Sequence, residues 1–119
     1  MRKIILIISI LLIPQVEAKH LNSERYYQEK WCNENNGITE YILPDKTRID
    51  CLTKKYAIEF DFATKWAEAI GQSMYYSKVM KKKPAICLII NSEKDYKYVK
   101  RIKKANKKIK IFIINEKTY

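Results

Sequence analysis

The chain has 119 residues, with 24 Lys and Arg against 13 Asp and Glu, so its size suits one domain and its net charge of +11 favours an acidic partner. At 47% hydrophobic and 31% charged it can bury a core, and it is neither a disordered tail nor a multi-span membrane protein. Two glycines and one histidine, His20, leave no glycine-rich phosphate loop, Ser-His-Asp triad, Cys-His dyad or multi-histidine zinc site; hydrolysis would have to rest on carboxylates, lysine and a metal.

Residues 1–18 read as a secretory leader. Arg2 and Lys3 precede an apolar run over 4–13, Pro14 ends it, and Val16-Glu17-Ala18 precedes the expected cleavage point. The run is short for a permanent bilayer anchor, an uncleaved amphiphilic N-terminus being the alternative. The expected mature chain starts at Lys19, keeps a net charge of +10, has no stable membrane span and is exported, periplasmic or secreted. Export permits disulfides among Cys32, Cys51 and Cys87. Cys87 sits within the apolar run 85–90, so Cys32 with Cys51 is the expected pair, although three buried thiols fit the spacing equally. Without a C-x-x-C spacing, redox and zinc roles are not expected.

Ser23 can cap a first helix over 24–33, which Asn35-Asn36-Gly37 breaks. Strands are expected over 38–43, 48–53 and 56–62, joined by turns at Pro44-Asp45-Lys46 and Lys54-Lys55, giving an antiparallel meander. A helix follows over 63–79, with Trp66, Ala67, Ala69, Ile70, Met74, Tyr75 and Val79 on a broad apolar face and Lys81-Lys82-Lys83-Pro84 closing it. A fourth strand over 85–91 is apolar enough to be covered on both faces. A lysine-rich helix over 95–108, with Tyr98 or Val99, Ile102, Ala105 and Ile109 inward, leads to a last strand over 109–114. The order is αβββαβαβ, without repeats or linkers.

Asp50 and Glu59 lie nine residues apart across the second hairpin, and Asp61 shares a strand face with Glu59. Crowded carboxylates repel and lose solvation, so a shared divalent cation explains them economically; a merely solvated acidic face is the alternative. Along the next helix Lys65, Glu68, Gln72 and Tyr76 follow one polar stripe, with Lys65 one turn in and able to approach the acids.

In this order and spacing the motifs resemble the PD-(D/E)XK nuclease superfamily, over nearly the whole mature chain. The resemblance implies an α/β fold with a restriction-endonuclease-like αβββαβ core and mixed central sheet, here extended by a C-terminal helix and strand. It implies that Asp50 is the motif aspartate, Glu59-Phe60-Asp61 the (D/E)-x-K element, and Gln72 to Tyr76 the Q-x-x-x-Y helix of lambda-exonuclease and RecB-type branches. A first-helix glutamate, Glu24 in preference to Glu29, would assist. Asp61 stands where the family lysine belongs, and Lys65 from the next helix is the substitute. The implied activity is Mg2+- or Mn2+-dependent phosphodiester hydrolysis. Asp50 and Glu59 would be ligands, Asp61 a third ligand or an orienter of the attacking water, Lys65 a fixed cation at the phosphate or the attacking hydroxide, and Gln72 a hydrogen-bonding contact to the substrate backbone or the water.

Charge location points the same way. Residues 19–77 carry 8 basic and 9 acidic groups, whereas 78–110 carry 13 basic and 2 acidic. A nucleic acid, DNA held without sequence preference, is the expected partner, although basic runs also suit anionic membranes. The competing expectation is an inactive secreted nucleic-acid-binding or envelope-associated protein on the same fold; a toxin or effector acting in another cell is a third.

Overall fold

Ser23 starts the first helix as a cap should: its hydroxyl accepts from the Tyr26 backbone N–H at 3.2 Å, and Glu24 occupies the first turn, where the helix end is positive. The computed structural model describes residues 3–5 and 19–119; the leader read from residues 1–18 lies, apart from 3–5, outside them. The elements are α1 (Glu24–Glu34), β1 (Ile38–Ile42), β2 (Arg48–Leu52), β3 (Tyr56–Phe62), a 3-10 turn (Ala63–Lys65), α2 (Trp66–Met80), β4 (Lys83–Ile90), a 3-10 turn (Glu93–Asp95), α3 (Tyr96–Ala105) and β5 (Lys110–Asn115). The expected order and the meander are both present. Among the described residues no helix is long and apolar enough to cross a membrane.

The fold is α/β, built on a five-stranded mixed sheet of order β1-β2-β3-β4-β5. β1, β2 and β3 pair antiparallel, and β3, β4 and β5 pair parallel. β4 is covered on both sides, as its composition implied. Ala85, Cys87 and Ile89 join Tyr27, Cys32, Ile58 and Phe60 on the α1 side, and Ile86, Leu88 and Ile90 join Ala69, Val99 and Ile102 on the α2/α3 side. Each such buried Ile or Leu contributes about 1.5–3 kcal/mol of transfer free energy.

Two ties hold α1 to the sheet. Cys32 and Cys51 form a disulfide, and Cys87 is a buried free thiol whose pKa is pushed up by burial. At the other end, buried Glu116 accepts hydrogen bonds from His20 Nδ1 (2.9 Å), the Leu21 N–H (3.1 Å), the Tyr27 hydroxyl (2.9 Å) and Asn91 Nδ2 (3.0 Å). Burial alone would raise this carboxyl, but the hydrogen bonds from His20, Asn91 and Tyr27 outweigh it and hold it below its usual range. The sole histidine is therefore a structural partner, stacked on Phe62.

Some expected boundaries and faces change. Lys65 is not inside a helix: it ends the 3-10 turn and forms the N-cap of α2. α2 seats on the sheet through Ala69, Ser73 and Tyr76 rather than its most apolar side, leaving Met74, Tyr75 and Val79 exposed and Ala67 outward. Small residues let the helix approach closely enough for the Ser73 hydroxyl to donate to the Ala85 carbonyl at 3.1 Å, a gain that raw hydrophobicity does not encode. Ala105 is likewise exposed, because α3 ends there and Asn106 turns extended.

A Cβ on Gly37 would lie 2.4 Å from Cys51 Sγ and 2.5 Å from Cys32 Sγ, so the turn after α1 passes directly over the disulfide. Replacing Cys32 and Cys51 by serine is expected to cost about 3 kcal/mol in denaturant unfolding. Gly37→Ala should destabilise the oxidised protein more than the double-serine variant, where the sulfur–sulfur bond no longer fixes the obstructing atoms.

Candidate active site

β2 and β3 are hydrogen-bonded at Leu52↔Ala57 and Cys51↔Ile58; one residue further on Asp50 meets Glu59, and there the ladder ends. The groups freed by this opening need other partners. The Phe60 N–H donates to Asp50 Oδ2 at 2.8 Å, and the Asp50 N–H approaches Glu59 Oε1 at 3.5 Å. The Asp50 carbonyl accepts from Gln28 Nε2 at 2.8 Å, so α1 reaches over the gap. The side-chain alternation of β2 breaks at the same point, since Ile49 and Leu52 join one cluster while Cys51 packs on the α1 side.

A cleft of about 630 Å³ opens over this gap. Asp50, Glu59, Glu24, Gln72 and Tyr76 line it, with Ser23, Arg25, Gln28, Glu40, Lys46, Thr47 and Arg48. Of the residues singled out in the sequence, Asp61 and Lys65 do not line the cleft, yet both act on it electrostatically. Asp61 is 6% exposed and its carboxyl is raised by burial and then by the charge of Glu24, while the exposed Lys65 opposes the rise of both Glu24 and Asp61. Glu29 is directed away, its carboxylate accepting from Arg25 Nε at 2.8 Å on the surface. Glu24 is thus the first-helix acid at the cleft. Of the expected polar stripe, Lys65, Glu68 and Gln72 are exposed, while Tyr76 is buried against Leu43, Ile49, Leu52 and Ala57.

Burial pushes Glu59 up to about 10, helped by the charge of Asp50. Asp61 rises to about 8 by burial and then the charges of Glu24, Asp50 and Glu68. Asp50 rises to about 6 by burial against the opposing Phe60 N–H, and Glu24 is raised by burial and then Asp50. These four acids cannot all ionise at neutral pH without a compensating cation.

Among the described residues no three His, Cys, Asp or Glu side chains are gathered as a ready cage for a metal ion. The donor chemistry nevertheless fits a hard, hydrated divalent cation, which takes one or two carboxylates and fills its remaining positions with water and substrate oxygens. Asp50 and Glu59 at the cleft floor supply such a pair.

Sequence reasoning missed Glu40, Arg48 and Gln28. Glu40 has φ 52°, a left-handed backbone conformation uncommon for a non-glycine residue, within an otherwise extended strand. Its carboxylate accepts from Gln28 Nε2 at 3.3 Å and lies 3.7 Å from Arg48 Nε. No glycine or turn signal marks this position. Arg48 reads in the sequence only as the first residue of a strand, and Gln28 as one polar residue of a helix.

The raised carboxyls favour the protonated form in the native state, whereas the unfolded chain ionises near pH 4. Native protein therefore binds more protons across the interval from about 4 to about 10, the folded value of Glu59, and metal-free stability should fall as pH rises through it. Thermal melts in EDTA should show this decline, and Glu59→Gln should flatten it and raise Tm by about 4 °C or more at pH 8. A pH-independent Tm would contradict the burial of these acids.

A scan against protein-family models, a search of curated proteins and a search of solved structures each find no match to this chain, so the reading of the site rests on its own residues.

Proposed function

We propose that this protein is an exported, Mg2+- or Mn2+-dependent nuclease-like phosphodiester hydrolase with a restriction-endonuclease-like core, acting on DNA without strong sequence preference. The observation that carries the reading is the convergence of Asp50, Glu59 and Glu24, with Asp61 behind them, where the β2–β3 ladder opens into a cleft also lined by Arg25, Lys46 and Arg48. Buried acids beside exposed cations suit a substrate that is itself an anion and arrives with a cation. The element order αβββαβ and the family-like spacing of Asp50, Glu59, Gln72 and Tyr76 support the same reading.

Asp50 and Glu59 would hold the cation. When bound, it polarises the phosphodiester, lowers the pKa of the attacking water and offsets charge on the leaving oxygen. Glu24 lines the cleft with a carboxyl raised by burial and then by the charge of Asp50, and would accept a proton from that water, while Asp61 acts on Glu24 through its charge from outside the cleft. Lys65, on the 3-10 turn directly after β3, supplies a fixed positive charge whose field reaches Glu24 and Asp61 and offsets negative charge as it grows at the phosphate. Gln72 on α2 offers an amide to the phosphate backbone, and Arg48, steadied by Glu40, binds a flanking phosphate.

The oxidised protein from Lys19 onward, incubated with plasmid and single-stranded DNA, should cleave with Mg2+ or Mn2+ and not in EDTA. Asp50→Ala and Glu59→Ala should each reduce cleavage by at least about a hundredfold, and Lys65→Ala by roughly a hundredfold or more. A second reading, a nucleic-acid-binding protein without cleavage, is favoured by Asp61 at the position of the family lysine and by a lysine substitute that does not line the cleft. Metal-independent binding with no cleavage would replace the nuclease reading with that one, and full cleavage by Asp50→Ala would overturn the assignment of cleavage to this site.

A further inference from the structure

Beneath α1 the sheet carries an aromatic cluster that the candidate active site does not use. Trp31 of α1, Tyr56 of β3 and Phe112 of β5 are each only partly buried and stand together, with ring centroids 4.9 Å apart for Trp31–Phe112 and 5.6 Å for Tyr56–Phe112. They pack on the α1 side of the sheet, and none of them lines the cleft. A separate pocket of about 440 Å³ lies over them, bounded by Lys54 and Lys55 from the β2–β3 turn and by the Asn35-Asn36 turn after α1.

Three features determine what this pocket suits. Its residues include no acid, and cations stand at its rings: Lys55 Nζ of the pocket lies 5.3 Å from the Tyr56 centroid, and Lys110 Nζ, from outside the pocket, 5.6 Å from that of Phe112. The rim is held in place, because Lys82 Nζ donates to the carbonyls of Thr53 at 2.8 Å and Lys54 at 2.9 Å and so ties down the β2–β3 turn. Planar rings with ammonium groups around them match a ligand that has a flat π-face and a negative charge beside it. An apolar protein segment would leave the lysines unmatched, and a duplex keeps its base faces stacked against one another.

We infer that Trp31, Tyr56 and Phe112, with Lys54, Lys55 and Lys110, form a second nucleic-acid site that stacks an unpaired base and holds its phosphates. The site goes beyond the cleavage chemistry, its pocket shares no lining residue with the cleft and it is read out without any cleavage.

The test is fluorescence titration in EDTA with a short oligothymidylate. The protein has two tryptophans, so Trp66→Phe leaves Trp31 as the reporter. Saturable quenching of Trp31 is expected. Phe112→Leu, which keeps apolar volume but removes the ring, should weaken binding about tenfold, equivalent to about 1.4 kcal/mol. The exposed pair Lys54→Gln with Lys55→Gln should leave Tm unchanged and reduce the slope of log affinity against log salt by about 1.4. Asp50→Ala should quench like its parent, which separates this site from the cleavage reading. The inference is overturned if the oligonucleotide binds without quenching Trp31, if the double lysine variant keeps the parental salt slope, or if anionic phosphatidylglycerol vesicles quench Trp31 and oligothymidylate does not.

Discussion

Backbone amides inside a sheet must find acceptors, and at one point in this protein the neighbouring strand does not provide them. β2 and β3 stay paired through Cys51↔Ile58 and then part, so the Phe60 N–H is taken by the Asp50 carboxylate and the Asp50 carbonyl by Gln28 of α1. Loss of ladder bonds in the centre of a sheet is costly unless polar side chains replace them. That requirement brings a carboxylate into the sheet, draws α1 across the gap and leaves room for a cleft. The Cys32–Cys51 disulfide anchors α1 one residue from Asp50, so the same covalent tie that stabilises the fold also positions the helix carrying Glu24 and Gln28.

Two buried glutamates show how environment separates a structural acid from a reactive one. Glu116 has four donors around it, and its carboxyl is held below the ordinary range. Glu59 is equally buried, at 4%, but its neighbours are Asp50 and Asp61, and its pKa is pushed up to about 10. Glu116 is satisfied by the protein and ties the N-terminal segment to the end of β5. The acids around Glu59 lack a comparable set of donors, so they are suited to an external cation or a shared proton.

Much of the basic excess lies on α3. Lys97, Lys100, Lys103 and Lys104 are exposed on α3, while Val99 and Ile102 bury its other face. Arg101 extends the basic surface to the start of α2, its guanidinium 5.6 Å from the Trp66 ring, next to Lys65. The rest of the sheet separates these cations from the aromatic cluster formed by Trp31, Tyr56 and Phe112.

Element order, the meander, the double-sided burial of β4 and the disulfide partners were readable from the chain, because each depends on local pattern: period-2 alternation, a capping serine, a continuous apolar run, and one cysteine already committed to that run. The pairing of Asp50 with Glu59 was readable for the same reason, since hairpin register follows from turn length. The buried face of α2 was not, because helix seating was decided by the small residues Ala69 and Ser73 approaching β4 rather than by the larger apolar residues Met74 and Val79. Nor was the left-handed Glu40, whose conformation is held by contacts with Gln28 and Arg48 from other elements. The sequence alone determined which carboxylates share a strand pair. Only the tertiary structure decided that Glu24 joins them, that Lys65 stands outside the cleft and that Arg48 lines it, because those placements depend on how α1 and α2 pack across a ladder that opens at a single residue.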